Sequence, residues 1–201
     1  FISQNPEEEI VYLAFSSGLS GTYQSALIAR EMVLEEYPKA KITVVDTLAA
    51  ASGEGFLVQE MVNLRASGKS LTEALPIFET LILRLKSLFM VDDLNHLARG
   101  GRIPKAVAMV GTMANIKPLL TVDAEGKLTQ LTKVRGKKKA IKSLVDMTLE
   151  EMDPDYSRVI VAYSGSETVA QEVKDTFLAH HVDTVDIRPL SPTIVTHTGS
   201  G

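Results

Sequence analysis

Residues 10–46 open with Ile10-Val11-Tyr12-Leu13-Ala14-Phe15. They continue through Ser16-Ser17-Gly18-Leu19-Ser20-Gly21-Thr22 and a stretch ending at Pro38, and close on Ile42-Thr43-Val44-Val45-Asp46. The first run is short, apolar and closed by a Ser-Ser-Gly break, which predicts a buried strand. From Thr22 to about Tyr37 the apolar residues Ala26, Ile28, Ala29, Val33 and Leu34 recur near helical spacing, and Pro38 ends the pattern. Ile42 to Asp46 is a second buried strand, followed by a helix from Gly53 to Ala66 that Gly68 closes. Strand, helix, strand, helix implies parallel pairing through right-handed crossovers.

Working outward, Ser70-Leu71-Thr72-Glu73 is a capping box opening a third helix to about Lys86, with Pro76 early in it. The texture changes after Ser87, where a domain boundary is placed, dividing the chain into 1–87 and 88–201. Leu88 to Val91 leads to a short helix, the Gly100-Gly101-Arg102 break and a helical stretch from Lys105 to Ala114. Pro118 to Val122 and Lys127 to Val134 read as an antiparallel hairpin whose turn draws its positive φ from Gly126. A helix from Lys137 to Met152, a strand Arg158 to Tyr163, a helix Glu167 to His180 and a strand Val185 to Arg188 complete this half. The expected fold is α/β in two domains: an N-terminal parallel-sheet α/β domain and a C-terminal α+β domain with a mixed sheet.

The 201 residues are 45% hydrophobic and 23% charged, the balance of a globular chain able to bury a core and not that of a disordered one. With 21 basic against 25 acidic side chains the net charge is -4, which argues against a dedicated nucleic-acid binder. Cysteine is absent, so disulfides, thiol nucleophiles and cysteine-ligated metals are excluded. No apolar run reaches the ~18 residues of a membrane span. His96, His180, His181 and His197 lack zinc-protease spacing, so no metal site is expected. No phosphate-binding lysine loop or dinucleotide glycine fingerprint occurs either.

Four residues could carry chemistry. Ser20 lies in a hydroxyl-rich loop between a strand and a helix, where free amides and the helix dipole favour an anion. The alternative is that it only caps the helix. His197, in Thr196-His197-Thr198-Gly199, looks like the start of a Gly-rich loop suited to a polar ligand head, or is simply a terminal-loop histidine. His180-His181 are explained by the carboxyl pole of their helix, and His96 by packing or exposure. Arg102 and Arg135 each adjoin glycine, so a turn can present the planar guanidinium to a carboxylate or phosphate. The run Lys133, Arg135, Lys137, Lys138, Lys139 reads as a solvated helix start, or as a phosphate-tracking patch in a regulatory nucleic-acid binder.

Six ordered blocks carry a resemblance: Ser16 to Ala26, Val45-Asp46-Thr47, Leu97 to Ile103 (LARGGRI), Asn115-Ile116-Lys117-Pro118, Lys133-Val134-Arg135-Gly136 and Thr196-His197-Thr198-Gly199. Together they resemble the DegV family of bacterial fatty-acid-binding proteins. The resemblance implies a long-chain fatty acid held between the two domains and a cytoplasmic carrier that presents it to a fatty-acid kinase. Such a carrier is not itself an enzyme and needs no cofactor beyond its lipid. It makes at most transient contact with a membrane surface. By the family's pattern Ser20 and His197 meet the fatty-acid carboxylate, while Arg102 and Arg135 stand at the pocket mouth or the partner contact. The family's opening Asp-Ser strand motif and its Thr-Ser-Gln-Pro segment are missing, and so is the final strand, so the chain is expected to be truncated at both ends. The rival reading is a serine-dependent hydrolase using Ser20 as nucleophile and His197 as base.

Overall fold

The computed structural model describes residues 2–5, 7–109 and 115–199. They divide into two compact units. The first takes the described residues up to Ala50, then Glu54–Leu85 and Ala124–Lys127; the second takes Ala51–Gly53, Lys86–Asp123 and the chain from Leu128 onward. The chain thus passes between units at Leu85 and Lys86, and one hairpin turn belongs with the first unit.

In the first unit β1 (Glu9–Ala14) and β2 (Lys41–Asp46) pair parallel, Glu9 opposite Lys41 and Ala14 opposite Asp46. A parallel pair needs a crossover, and α1 (Thr22–Glu36) supplies it. None of its side chains is fully buried, and Ile28 and Met32 stand well exposed on one face. The helix forms where the spacing predicts it, but of the apolar residues in that spacing Ile28 and Ala29 are exposed and Ala26, Val33 and Leu34 only half-buried. Burial falls instead on α2 (Ala51–Ala66) and α3 (Leu71–Arg84), whose Leu57 and Phe78 are 0% exposed and pack with Ala49 against Leu13 and Val45. The capping box forms as expected: Glu73 N donates to Ser70 Oγ at 3.4 Å and Ser70 N to Glu73 Oε2 at 2.9 Å. Pro76, however, falls in the second turn of α3, beyond the first four amides, so its missing N–H costs one intrahelical bond rather than none.

In the second unit β3 (Leu88–Met90), β4 (Ile116–Val122) and β5 (Leu128–Arg135) form an antiparallel sheet in that order. β6 (Arg158–Tyr163) and β7 (Thr184–Pro189) pair parallel. Antiparallel and parallel pairing both occur, as expected of a mixed arrangement, but two separate sheets carry them rather than one. Leu119 and Leu120, adjacent in β4, are both 0% exposed, so this strand is covered on both faces. One core gathers Leu94 and Leu97 of α4 (Leu94–Arg99), Ala108 of α5 (Lys105–Met109) and Leu120. A second gathers Val145 of α6 (Lys137–Glu151), Phe177 of α7 (Glu167–Ala179) and Val185. The helix expected to Ala114 is seen to Met109, and its remainder lies outside the described residues.

The carboxyl end departs from the expected loop. Residues 192–198 form a helix, α8 (Pro192–Thr198), not a loop, and His197 lies in its last turn. Ser191 caps it, accepting from Ile194 N at 3.4 Å, and Pro192 occupies the first position, where proline's fixed φ suits a helix start. Ser200, at the end of that expected loop, lies outside the described residues.

Candidate functional site

In the first unit the chain leaves β1 into the 15–21 loop, and a buried hydroxyl holds that loop. Ser16 is 0% exposed, and its Oγ donates to the Gly126 carbonyl at 2.7 Å while accepting from Gly18 N at 3.1 Å. The Ser16 carbonyl in turn accepts from Leu19 N and Ser20 N, both at 3.1 Å. Gly126 has φ +72, as the turn reading expected, and a second reason to be glycine: a Cβ there would stand 2.1 Å from Ser16 Oγ. Asp46, the last residue of β2, accepts on one oxygen from Ser17 N at 3.1 Å and Leu48 N at 3.0 Å, joining the two loops at the carboxyl edge of the sheet. Thr47 Oγ1 donates to the Ala14 carbonyl at 2.7 Å and accepts from Ala49 N at 3.3 Å.

Ser20 ends this loop half-buried. Gly21, not Ser20, is the N-cap of α1, and Ser20 Oγ accepts from Thr22 N at 3.2 Å and lies 2.7 Å from Thr22 Oγ1. The hydroxyl thus stands at the amino end of a fifteen-residue helix, whose positive pole favours an anion. Burial pushes the Glu54 carboxyl, in the first turn of α2, above the ordinary carboxylate range.

In the second unit His197 is half-buried at the end of α8, which packs on α4. Its Nδ1 edge faces Gly100, where a Cβ would stand 2.9 Å from Nδ1. Gly199 in turn lies against the His96 ring, 2.9 Å from Cδ2 to where its own Cβ would be. His96 is thus a packing residue, as its bland reading expected, and one that adjoins the His197 segment. Arg102 Nη1 donates to the Gly100 carbonyl, so part of this guanidinium closes its own turn. Arg135 is the last residue of β5, exposed, and paired with Ile116 in the ladder. Lys137, Lys138 and Lys139 follow it, all exposed, and Lys137 reaches Asp92 at 3.8 Å. His180 caps α7 with Nδ1 2.8 Å from the Thr176 carbonyl, as the helix-pole reading expected. Among the described residues there is no cluster of metal-ligating side chains, and no helix is long and apolar enough to cross a membrane.

Ser20 and His197 are singled out by the sequence, whereas the sequence assigns no role to Ser16, Asp46 or Gly100 individually. The bond from Ser16 to Gly126 leaves no local signal, since the two lie 110 residues apart.

The family model described as "Uncharacterised protein, DegV family" matches residues 2–201. The DegV domain-containing protein YteA of Lactococcus lactis is 70% identical over 196 residues, which is 97% of this chain and 68% of that protein. Set beside a relative from Streptococcus pyogenes, of which it covers 66%, the chain spans about two thirds of such proteins' length. A solved DegV family protein from Thermus thermophilus, described by its fatty-acid binding, matches with a TM-score of 0.84 at 33% identity, over 99% of this chain and 70% of its own. The fatty acid kinase B3 protein of Streptococcus pneumoniae, solved loaded with linoleic acid, shares the fold with a TM-score of 0.86 at 24% identity, over 99% of this chain and 71% of its own.

Proposed function

The chain belongs to the DegV family, and on that footing we propose that it binds one long-chain fatty acid and presents the carboxylate to a fatty-acid kinase for acyl-phosphate formation. The observation that carries this reading is the likeness, at 33% identity along almost the whole chain, to the fatty-acid-binding protein of Thermus thermophilus. The kinase as partner draws support from the fold shared with the pneumococcal fatty acid kinase B3 protein.

The physical division of labour is between tail and head. A sixteen-carbon acid has ~14 methylenes, and at ~0.8 kcal/mol each their burial supplies at most ~11 kcal/mol before ordering costs. The tail therefore accounts for affinity. The head needs only enough donors to offset lost hydration and to fix which end stays accessible. We assign that task to the Ser20 hydroxyl, already at a helix amino end, and to the His197 imidazole. Arg102 and Arg135 serve the pocket mouth or the partner: Arg102 braced on its own turn, Arg135 exposed at the head of three lysines. In this reading the protein is a carrier in the cytoplasm, meeting membrane surface only transiently, and the phosphoryl chemistry belongs to the kinase.

The Ser20 hydroxyl is engaged in its own unit by Thr22, a residue that cannot serve as a general base, so nothing there favours the hydrolase alternative. Mass spectrometry of an organic extract of the purified protein tests the proposal. One fatty acid per chain is expected. Protein that carries no lipid and cleaves simple esters would replace the carrier with the serine enzyme.

A further inference from the structure

We infer that Gly100 is a positioning residue for the His197 imidazole, seating its Nδ1 edge and leaving the Nε2 edge for a ligand. The identity of that ligand rests on the fatty-acid reading; the seating does not.

Gly100 is the C-cap of α4, with φ -72 and ψ -9. That is ordinary right-handed backbone, open to any residue. Conformational freedom therefore does not explain glycine here, whereas it does at neighbouring Gly101, with φ +75. What the position requires is the missing Cβ, which would stand 2.9 Å from His197 Nδ1 and 3.4 Å from the His96 carbonyl. The first of these separations lies well inside van der Waals contact.

Of the two parties, the Gly100 backbone is the one held. Its amide donates to the His96 carbonyl at 3.0 Å, and its carbonyl accepts from Arg102 Nη1. The end of α8 is held as well: Gly199 N donates to the Val195 carbonyl at 2.8 Å, and the Gly199 carbonyl accepts from Thr198 Oγ1 at 3.1 Å and Ser164 Oγ at 3.4 Å. The contact is reciprocal, because the His96 ring lies on Gly199 as the His197 ring lies on Gly100. With both backbones fixed, a side chain at position 100 is accommodated by rotating the His197 ring.

The test is Gly100→Ala, read by two-bond proton–nitrogen spectra of the imidazoles in lipid-free protein. The His197 resonances are expected to shift while those of His180 and His181 stay in place, and the double variant Gly100→Ala/His197→Ala is expected to melt no lower than His197→Ala alone, because once the ring is gone alanine suits right-handed backbone better than glycine. Affinity for a sixteen-carbon fatty acid should then fall about tenfold, the effect of one misplaced hydrogen bond. Unmoved His197 resonances would overturn the inference. Shifted resonances with undiminished affinity would uphold the seating and remove His197 from the carboxylate site. Should Gly100→Ala fail to fold, the double variant with His197→Ala folds if the ring is the obstacle, and its failure would also overturn the inference.

Discussion

Consider Ser16→Ala, which deletes one oxygen atom from the first unit. That atom donates to the Gly126 carbonyl at 2.7 Å and accepts from Gly18 N at 3.1 Å, and both Ser16 and Gly126 are buried. Alanine fills the same space less the hydroxyl, so hydrophobic burial hardly changes and the loss is polar. Leaving a buried acceptor without its donor costs about 1–3 kcal/mol. In a chain of this length each kcal/mol moves the melting temperature by about 2–4 °C, so a fall of about 2–12 °C is expected. Ser17→Ala is the control: Ser17 is exposed and engages Asp46 through its backbone amide, which the substitution keeps, so its effect should stay within about 0.5 kcal/mol. Urea titration gives the global cost, and amide exchange at Gly18, Leu19 and Ser20 gives the local one. The latter two donate to the Ser16 carbonyl, and faster exchange there would report a loosened loop. Unfolding energies for Ser16→Ala and Ser17→Ala that agree within about 0.5 kcal/mol, with unaltered exchange at Gly18 to Ser20, would refute the reasoning.

Ser20→Ala should leave melting unchanged and weaken acyl phosphorylation by a partner kinase more than lipid retention; equal losses in both assays would contradict the head-group role. Arg135→Ala, at an exposed strand end, should lower kinase turnover while the bound fatty acid remains, and unchanged turnover would remove it from the partner surface. For Glu54, burial raises the folded carboxyl's pKa above its unfolded value. The folded state then binds more protons between those two values, so this group's contribution to stability falls as pH rises through that window. Glu54→Gln should therefore stabilise the protein at neutral pH, with the gain vanishing on titration below the unfolded carboxylate range; a gain that persists in acid would show another cause. Leu120→Ala, at a site with 0% exposure, should cost about 2–5 kcal/mol by urea titration, and a loss below about 1 kcal/mol would mean the core collapses around the gap.

Much of the architecture was legible because its signals are local. The IVYLAF run, the Pro38 stop and the Ser70–Glu73 box each involve neighbours in sequence, and β1, α1, β2 and α3 appear where those signals put them. α8 was legible too but was outweighed: Ser191-Pro192 is a cap followed by a first-position proline, whereas the glycines at 199 and 201 drew the segment toward a loop. The lock between Ser16 and Gly126 was not legible, because a hydrogen bond across 110 residues leaves no periodic trace. Gly100 escaped for a different reason. Glycine is read from sequence as a backbone requirement, and at φ -72 there is none to read.

The polar groups around the first-unit loop divide by burial, and that division bears on which of them can serve a ligand. Leu48 sits at φ 50, in the left-handed region that costs a residue with a Cβ roughly 1–2 kcal/mol. Its amide donates to Asp46 Oδ1, and Ser17 N donates to the same oxygen, so one side chain offsets that strain with hydrogen bonds on two loops. Ser16 is fully enclosed, and both capacities of its hydroxyl are used inside the protein. A group whose bonds are so committed gains nothing from an arriving carboxylate. Ser20 differs: it is half-buried, its neighbour is the exposed Thr22 hydroxyl, and a carboxylate can replace that neighbour without uncovering a buried partner. Of the three serines in the Ser-Ser-Gly-Leu-Ser segment, the buried one therefore fixes the loop and the last one has an O–H to offer. In the carrier reading proposed above, the hydrogen bonds of Ser16 and Asp46 would hold that O–H in place before the ligand comes.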